Sequence, residues 1–336
     1  MIGIGVEFRL LVTASLLVGL AELTLHTQEQ RYRERQVLDP ETGEWVDEEP
    51  TAEEAATDEL GQSRALLAQG KPGKARGLLQ RWLKANPEDE RSYEATLLLG
   101  DTFFESRDFW KAVEQYSSVA DNASGELFQL ANERCANVAR AFLSGQKRIV
   151  WRILHLPAYS EGIEILDRVW ERAPGSRLGE VALKLKADHL FNQGDVDLAQ
   201  DEYANLAQQY PSGRYVQLAM LRTAVSAEAA FPGVKFDDVP LLEADERYRQ
   251  VVAAFPTYAA RENVPERLEG IRQTRAEKDY EIARWYERTR QPSAAEFYYR
   301  RILDDWPDTL AASEARTRLR TMGVKTEELE TEGSTP

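Results

Sequence analysis

Three histidines, His26, His155 and His189, and one cysteine, Cys135, are the side chains of this chain best suited to metal or nucleophilic chemistry. The histidines lie far apart and none has a partner at the His-x-x-x-His spacing that puts two imidazoles on one helical face. A lone thiol excludes an intramolecular disulfide framework and a cysteine-built zinc site. Cys135 falls on the apolar stripe of a helix, Leu127 to Phe142, with no histidine beside it to draw off its proton, so it reads as a buried, inert thiol. Gly70-Lys71-Pro72-Gly73-Lys74 lacks the order of a phosphate loop and follows a helix, which makes it a turn between helices. Asp195-Val196-Asp197 with Asp201 and Glu202 has the acidity of a calcium loop without its sixth-position glycine, and reads as the acidic start of a helix. No catalytic, cofactor-binding or metal-binding residue is expected.

Charge narrows the partners. The chain has 336 residues, 42 basic against 57 acidic, a net charge of −15. Ten acidic residues and no basic one lie between Asp39 and Glu59, and Val324–Pro336 adds −3, leaving about −2 for the 264 residues from Leu60 to Gly323. A nucleic-acid partner would require a positive field over the folded body, and there is none. The exception is a basic, aromatic patch, Lys147-Arg148-Ile149-Val150-Trp151-Arg152. Lys147, Arg148, Trp151 and Arg152 are candidate contact residues there, with a helix extension as the alternative.

These residues are positioned by a repeat. Pro87, Pro174, Pro211, Pro256 and Pro307 each end a similar segment. Twelve residues before them stand Ala75, Gly162, Ala199, Ala244 and Ala295; eight before stand Leu79, Leu166, Tyr203, Tyr248 and Tyr299; five before stand Trp82, Val169, Leu206, Val251 and Ile302. A copy without the proline runs Gly100, Phe103, Ala112, Tyr116, Val119. This is the 34-residue tetratricopeptide pattern, in which a small residue lets two helices approach and an aromatic or aliphatic residue one turn later fills the gap. Ala295 is expected opposite Ala283 and Tyr286. Six units are placed near 58–91, 93–125, 126–177, 180–213, 215–258 and 276–309, with inserts around Gln146–Pro157 and Pro232–Leu242. The expected fold is all-α, a right-handed superhelix of about six stacked hairpins over 58–323, with no strand of useful length.

First helices of such hairpins line a groove that takes extended or helical peptides. Leu97, Asp101, Phe104, Lys184, Asp188 and Phe191 are the residues expected to face it. Before the repeats, Leu10–Ala21 is an uncharged apolar run of twelve, too short to span a bilayer and of the length of an export signal. Residues 1–21 are therefore expected to be a signal, 22–57 an acidic disordered leader, and 324–336 a disordered acidic tail.

From Arg247-Tyr248-Arg249 through Glu281-Ile282-Ala283-Arg284-Trp285-Tyr286-Glu287-Arg288 to Tyr298-Tyr299-Arg300-Arg301-Ile302-Leu303 and Trp306-Pro307-Asp308-Thr309, the chain resembles the outer-membrane assembly lipoproteins of the BamD/ComL type. The resemblance extends over 58–323 and is strongest over 244–323. It implies a non-enzymatic periplasmic scaffold at the outer membrane, binding a barrel-assembly component or unfolded barrel segments. Association with the membrane would then run through partners or an uncleaved N-terminus. Such family members carry a lipobox cysteine; here Glu22 follows Ala21, so no acyl group is expected at that position. The alternative is a cytoplasmic or membrane-tethered tetratricopeptide adaptor of an unrelated pathway.

Overall fold

The computed structural model describes residues 36–39, 42–47, 59–150 and 154–324. Residues 1–35, 40–41, the acidic segment 48–58, residues 151–153 with Trp151 and Arg152, and the tail from 325 lie outside the described residues. The described chain carries fourteen helices and two small antiparallel hairpins, and it divides into two compact units, 1–182 and 183–336.

In the first unit, α1 (Glu59–Ala68) and α2 (Pro72–Ala85), α3 (Ser92–Glu105) and α4 (Phe109–Asn122), and α5 (Gly125–Leu143) and α6 (Tyr159–Arg172) form three helical hairpins. Each helix packs on its predecessor, and the first helices α1, α3 and α5 also touch in series. The division into units falls within α7 (Arg177–Gln193). The second unit continues with α8 (Val196–Gln209), α9 (Val216–Ala229), α10 (Val239–Ala254), a short α11 (Pro256–Arg261), α12 (Val264–Arg288), α13 (Pro292–Asp305) and a closing α14 (Leu310–Thr321).

The proline punctuation has a single local cause. Asn86, Ala173, Tyr210, Phe255 and Trp306 share one backbone conformation, φ between −127° and −140° and ψ between 48° and 66°. Each precedes a proline, whose ring forbids the helical conformation to its predecessor. The helix therefore stops at the same place in five copies, and the next begins at a fixed angle. Gly70 and Gly194 take positive φ at the turns between paired helices.

Packing follows the motif. Ala75, Ala112, Ala199, Ala244 and Ala295 have no exposed surface, and neither do Tyr116, Tyr248 and Tyr299. Around Ala295 the core gathers Ala276, Tyr280, Ala283, Tyr299, Ile302, Ala312, Ala315 and Leu319, with Tyr286 against its edge. A second core in the same unit joins Leu221, Ala224, Leu241, Ala244, Tyr248, Val251, Val264 and Ile271.

Three features depart from the sequence reading. The insert after α5 is a β-hairpin, with β3 (Lys147–Val150) pairing β4 (Leu154–Pro157) in the register Arg148↔Leu156. Part of the acidic leader is also ordered, since β1 (Gln36–Leu38) pairs β2 (Trp45–Asp47) with Leu38 opposite Trp45. Three or four residues per strand are too few for alternation to stand out from helical periodicity. Finally, α12 starts at Val264, a dozen residues before the sixth unit was placed, because Pro265 suits the first turn of a helix.

Candidate functional site

The residues expected to line a groove divide into two sets. Leu97, Asp101 and Phe104 on α3 are buried, with exposures of 4%, 1% and 6%. They face into the stack, which corrects their assignment as groove contacts. The reason is that α3 has neighbours on both sides, leaving every residue from Ala95 to Phe104 except Thr96 covered. Phe104 meets Phe109 edge-on at 5.2 Å. Asp101 accepts the Tyr116 hydroxyl at 2.8 Å and lies 3.3 Å from Arg134 Nε, a pair with only 2% and 3% of its side chains exposed.

In the second unit, Lys184, Asp188 and Phe191 lie together on α7 and stay half-exposed. Lys184 pairs with Asp188 at 2.6 Å, and Asp188 accepts the Tyr203 hydroxyl at 2.5 Å. Phe191 sits edge-on to Tyr203 at 6.5 Å and under the Arg222 guanidinium at 5.0 Å. The pattern of tyrosine, acid and arginine recurs along the chain. Tyr248 donates to Glu228 at 2.5 Å, with Arg267 2.9 Å from the same carboxylate; Tyr299 donates to Glu287 at 2.8 Å, with Arg318 at 3.8 Å. Each tyrosine follows the small residue by four, so the motif that packs two helices also ties the second to a carboxylate of the first. Burial, then the neighbouring carboxylate, pushes the Tyr203, Tyr248 and Tyr299 phenols well above their ordinary value. The recurrence at matching positions identifies a structural ladder.

A more open site lies between α12 and α13. A cleft of about 300 Å³ is lined by Asp238, Arg275, Lys278, Asp279, Ile282, Tyr298, Arg301, Asp305 and Trp306. Its charges compensate one another: Asp279 takes Arg301 at 2.5 Å and the Trp306 indole N–H at 3.0 Å, while Asp238 faces Arg275 at 3.5 Å and Lys278 at 3.7 Å. From Tyr298 an aromatic cluster continues to the surface. Tyr286 stacks on Tyr298 at 5.2 Å, and Trp285 and Phe297 meet these rings edge-on at 4.9 and 5.5 Å. Trp285 is 50% exposed and Phe297 62%. Exposed aromatics beside a charge-balanced cleft suit a protein surface with an apolar anchor and polar rim. This cluster was legible within the aromatic run Phe297-Tyr298-Tyr299, but helical phase alone could not say which ring turns outward.

The family model described as outer membrane lipoprotein, YfiO, matches residues 159–333, just over half of the chain. The chain belongs to this family. The match covers the whole described second unit, so the aromatic cluster and its cleft lie within the family's span, where the BamD-like resemblance is strongest. Among solved structures, a tetratricopeptide repeat protein from Parabacteroides merdae ATCC 43184 aligns at 9% identity and a TM-score of 0.36, covering 81% of this chain and 95% of its own. The human IFIT1 dimer with m7Gppp-AAAA aligns at 12% identity and a TM-score of 0.24, covering 81% of this chain and 76% of its own. No curated protein matches.

Of the basic patch, Arg148 is placed with its guanidinium 3.6 Å above the Trp110 ring and 3.5 Å from Glu161. It thereby pins the β3–β4 hairpin to α4 and α6. Lys147 is at the start of β3; Trp151 and Arg152 lie outside the described residues. Cys135 is fully buried, and desolvation pushes its thiol up to about 11. His189 is buried too, which lowers its pKa. Among the described residues, no group of three or more His, Cys, Asp or Glu side chains could hold a metal ion, and no helix is long and apolar enough to cross a membrane.

Proposed function

We propose that this member of the outer-membrane lipoprotein family is a non-enzymatic periplasmic scaffold that docks a barrel-assembly component on the closing hairpin of its second unit. The observation that supports this reading is the outward aromatic cluster of Trp285, Tyr286, Phe297 and Tyr298 inside the family-matched region. Half-exposed rings already packed against one another lose little side-chain freedom when covered, so they make efficient anchors. The charges of the adjoining cleft are paired within the chain, and a partner need not neutralise them. Affinity should then come from apolar burial more than from long-range attraction, and depend weakly on salt.

The test is site-specific photo-crosslinking from position 297 in the native envelope, combined with Trp285→Ala and Phe297→Ala variants. An outer-membrane assembly protein should be the crosslinked species. Each truncation should weaken its binding by roughly ten- to a hundred-fold, the range of an aromatic hot spot. Since both side chains are exposed, thermal stability should stay within about 0.5 kcal/mol of wild type. Unchanged binding in both variants, or a chain found in the cytoplasm, would overturn the reading in favour of a cytoplasmic adaptor.

A further inference from the structure

The ordered part of the acidic leader occupies a surface of its own. Two strands of three residues do not hold together in water unaided, so β1 and β2 must draw order from what they lie on. They lie on α5. Leu38 and Trp45 are directly opposed across the hairpin, and residues opposed in this way share one face of the ribbon. Leu38 is 8% exposed, and the Trp45 ring sits 5.0 Å from the Arg140 guanidinium of α5. That distance is within the range of a favourable cation–π contact.

The turn is built to hold this placement. Asp39 accepts the Thr42 hydroxyl at 2.6 Å and its N–H at 3.3 Å, and the Asp39 carbonyl accepts Gly43 N–H at 2.7 Å. Gly43 has φ +64°, and a Cβ there would come within 2.4 Å of Arg177 Nε. A side chain there would be strained by the left-handed backbone and would have to push the Arg177 guanidinium aside. Eleven residues, 48–58, separate β2 from α1, whereas the contact is made with a helix nearly a hundred residues downstream.

We propose that the α5 face around Arg140 is an acceptor surface for an extended segment bearing an aromatic beside an aliphatic side chain, and that residues 36–47 are its built-in occupant. A strand from another protein with the same pair of side chains reaches this surface only by displacing the hairpin. Tethering gives the occupant an effective concentration of about a millimolar, so a competitor in solution is strongly disadvantaged. This surface is separate from the aromatic cluster of the second unit and does not depend on the function proposed for that cluster.

The experiment uses the full chain and a fluorescein-labelled peptide of the sequence Gln36–Asp47, followed by fluorescence anisotropy. Trp45→Ala in the full chain empties the surface without touching the repeat cores. It should bind the peptide at least ten-fold more tightly than wild type, whose surface is free less than about a tenth of the time. Trp45→Phe retains a ring over Arg140 and should behave like wild type. Adding Arg140→Ala to Trp45→Ala should abolish the gain, with circular dichroism confirming that all variants keep the helical fold. Equal binding by wild type and Trp45→Ala overturns the proposal, as does the absence of binding to Trp45→Ala.

Discussion

Replacing Gly100 with alanine separates helix propensity from packing, because the two act in opposite directions. Gly100 lies in the middle of α3, where alanine alone would stabilise by about 1 kcal/mol. An added Cβ would lie 2.5 Å from Tyr116 Cε1 and 2.7 Å from Cδ1, against the roughly 3.5–4 Å of ordinary carbon contact. The ring would have to withdraw by about 1 Å. It has no room: Tyr116 is fully buried, its hydroxyl is held by Asp101 at 2.8 Å, and Asp101 is in turn paired with buried Arg134. Overpacking costs roughly 1–3 kcal/mol, and loss of the bond to a charged acceptor costs about 1.5–3 more. After the propensity gain, the net destabilisation is about 1.5–5 kcal/mol. Guanidinium denaturation reads it directly, with Gly77→Ala as the control. Gly77 is a helical glycine with nothing within 4 Å of its missing Cβ, so that variant should gain about 0.5–1 kcal/mol. A Gly100→Ala midpoint at or above wild type would refute the reasoning, since it would mean the ring can move freely.

Other outcomes follow from the same contacts. Asp101→Ala should cost about 3–5 kcal/mol, because it leaves Arg134 buried without its carboxylate; a mild loss of stability would return Asp101 to the list of surface contacts. Ala295→Leu should cost roughly 1–3 kcal/mol by overpacking against Ala283 and Tyr280, and an unchanged midpoint would contradict the register. The raised phenols of Tyr203, Tyr248 and Tyr299 make stability full below about pH 10, where both states keep their protons. It then falls as pH rises further, since unfolded phenols ionise first; tyrosines that all titrate near pH 10 in the folded chain would count against the ladder. Cys135, with its thiol near 11, should resist alkylation at pH 8 until the chain opens, and rapid labelling of the native chain would contradict its burial.

The ends of five helices were legible because a covalent constraint repeats. Proline fixes where five helices stop, and the small residue twelve positions earlier fixes where the paired helix comes close. The direction of a side chain around each helix was less legible. Asp101 and Asp188 occupy equivalent places, each accepting a tyrosine hydroxyl 15 residues on, yet one is buried and the other half-exposed. The difference comes from Arg134, which closes over Asp101 from the next helix, and such a neighbour is invisible to a local pattern. The two β-hairpins escaped for another reason. Their strands are three or four residues long and gain order from distant partners, Arg140 for one and Trp110 for the other.

Chemistry on this chain is distributed in the same way. Its carboxylates and guanidinium groups are abundant, and several of the buried or half-buried ones hold helices together: Asp101 with Arg134, Glu228 with Arg267, Asp279 with Arg301. A catalytic site requires groups whose charge is held ready for a substrate, with pKa values tuned toward the working pH. The perturbed groups here move the other way. Burial raises the tyrosines and Cys135 further from neutrality and lowers His189, so each is held more firmly uncharged near pH 7. What remains for a partner is shape and apolar surface, including Trp285 and Phe297, where exposed rings pack on further rings. A helical stack that ties its helices with ion pairs and presents rings outward is suited to binding proteins, and that is the physical content of reading this chain as a scaffold.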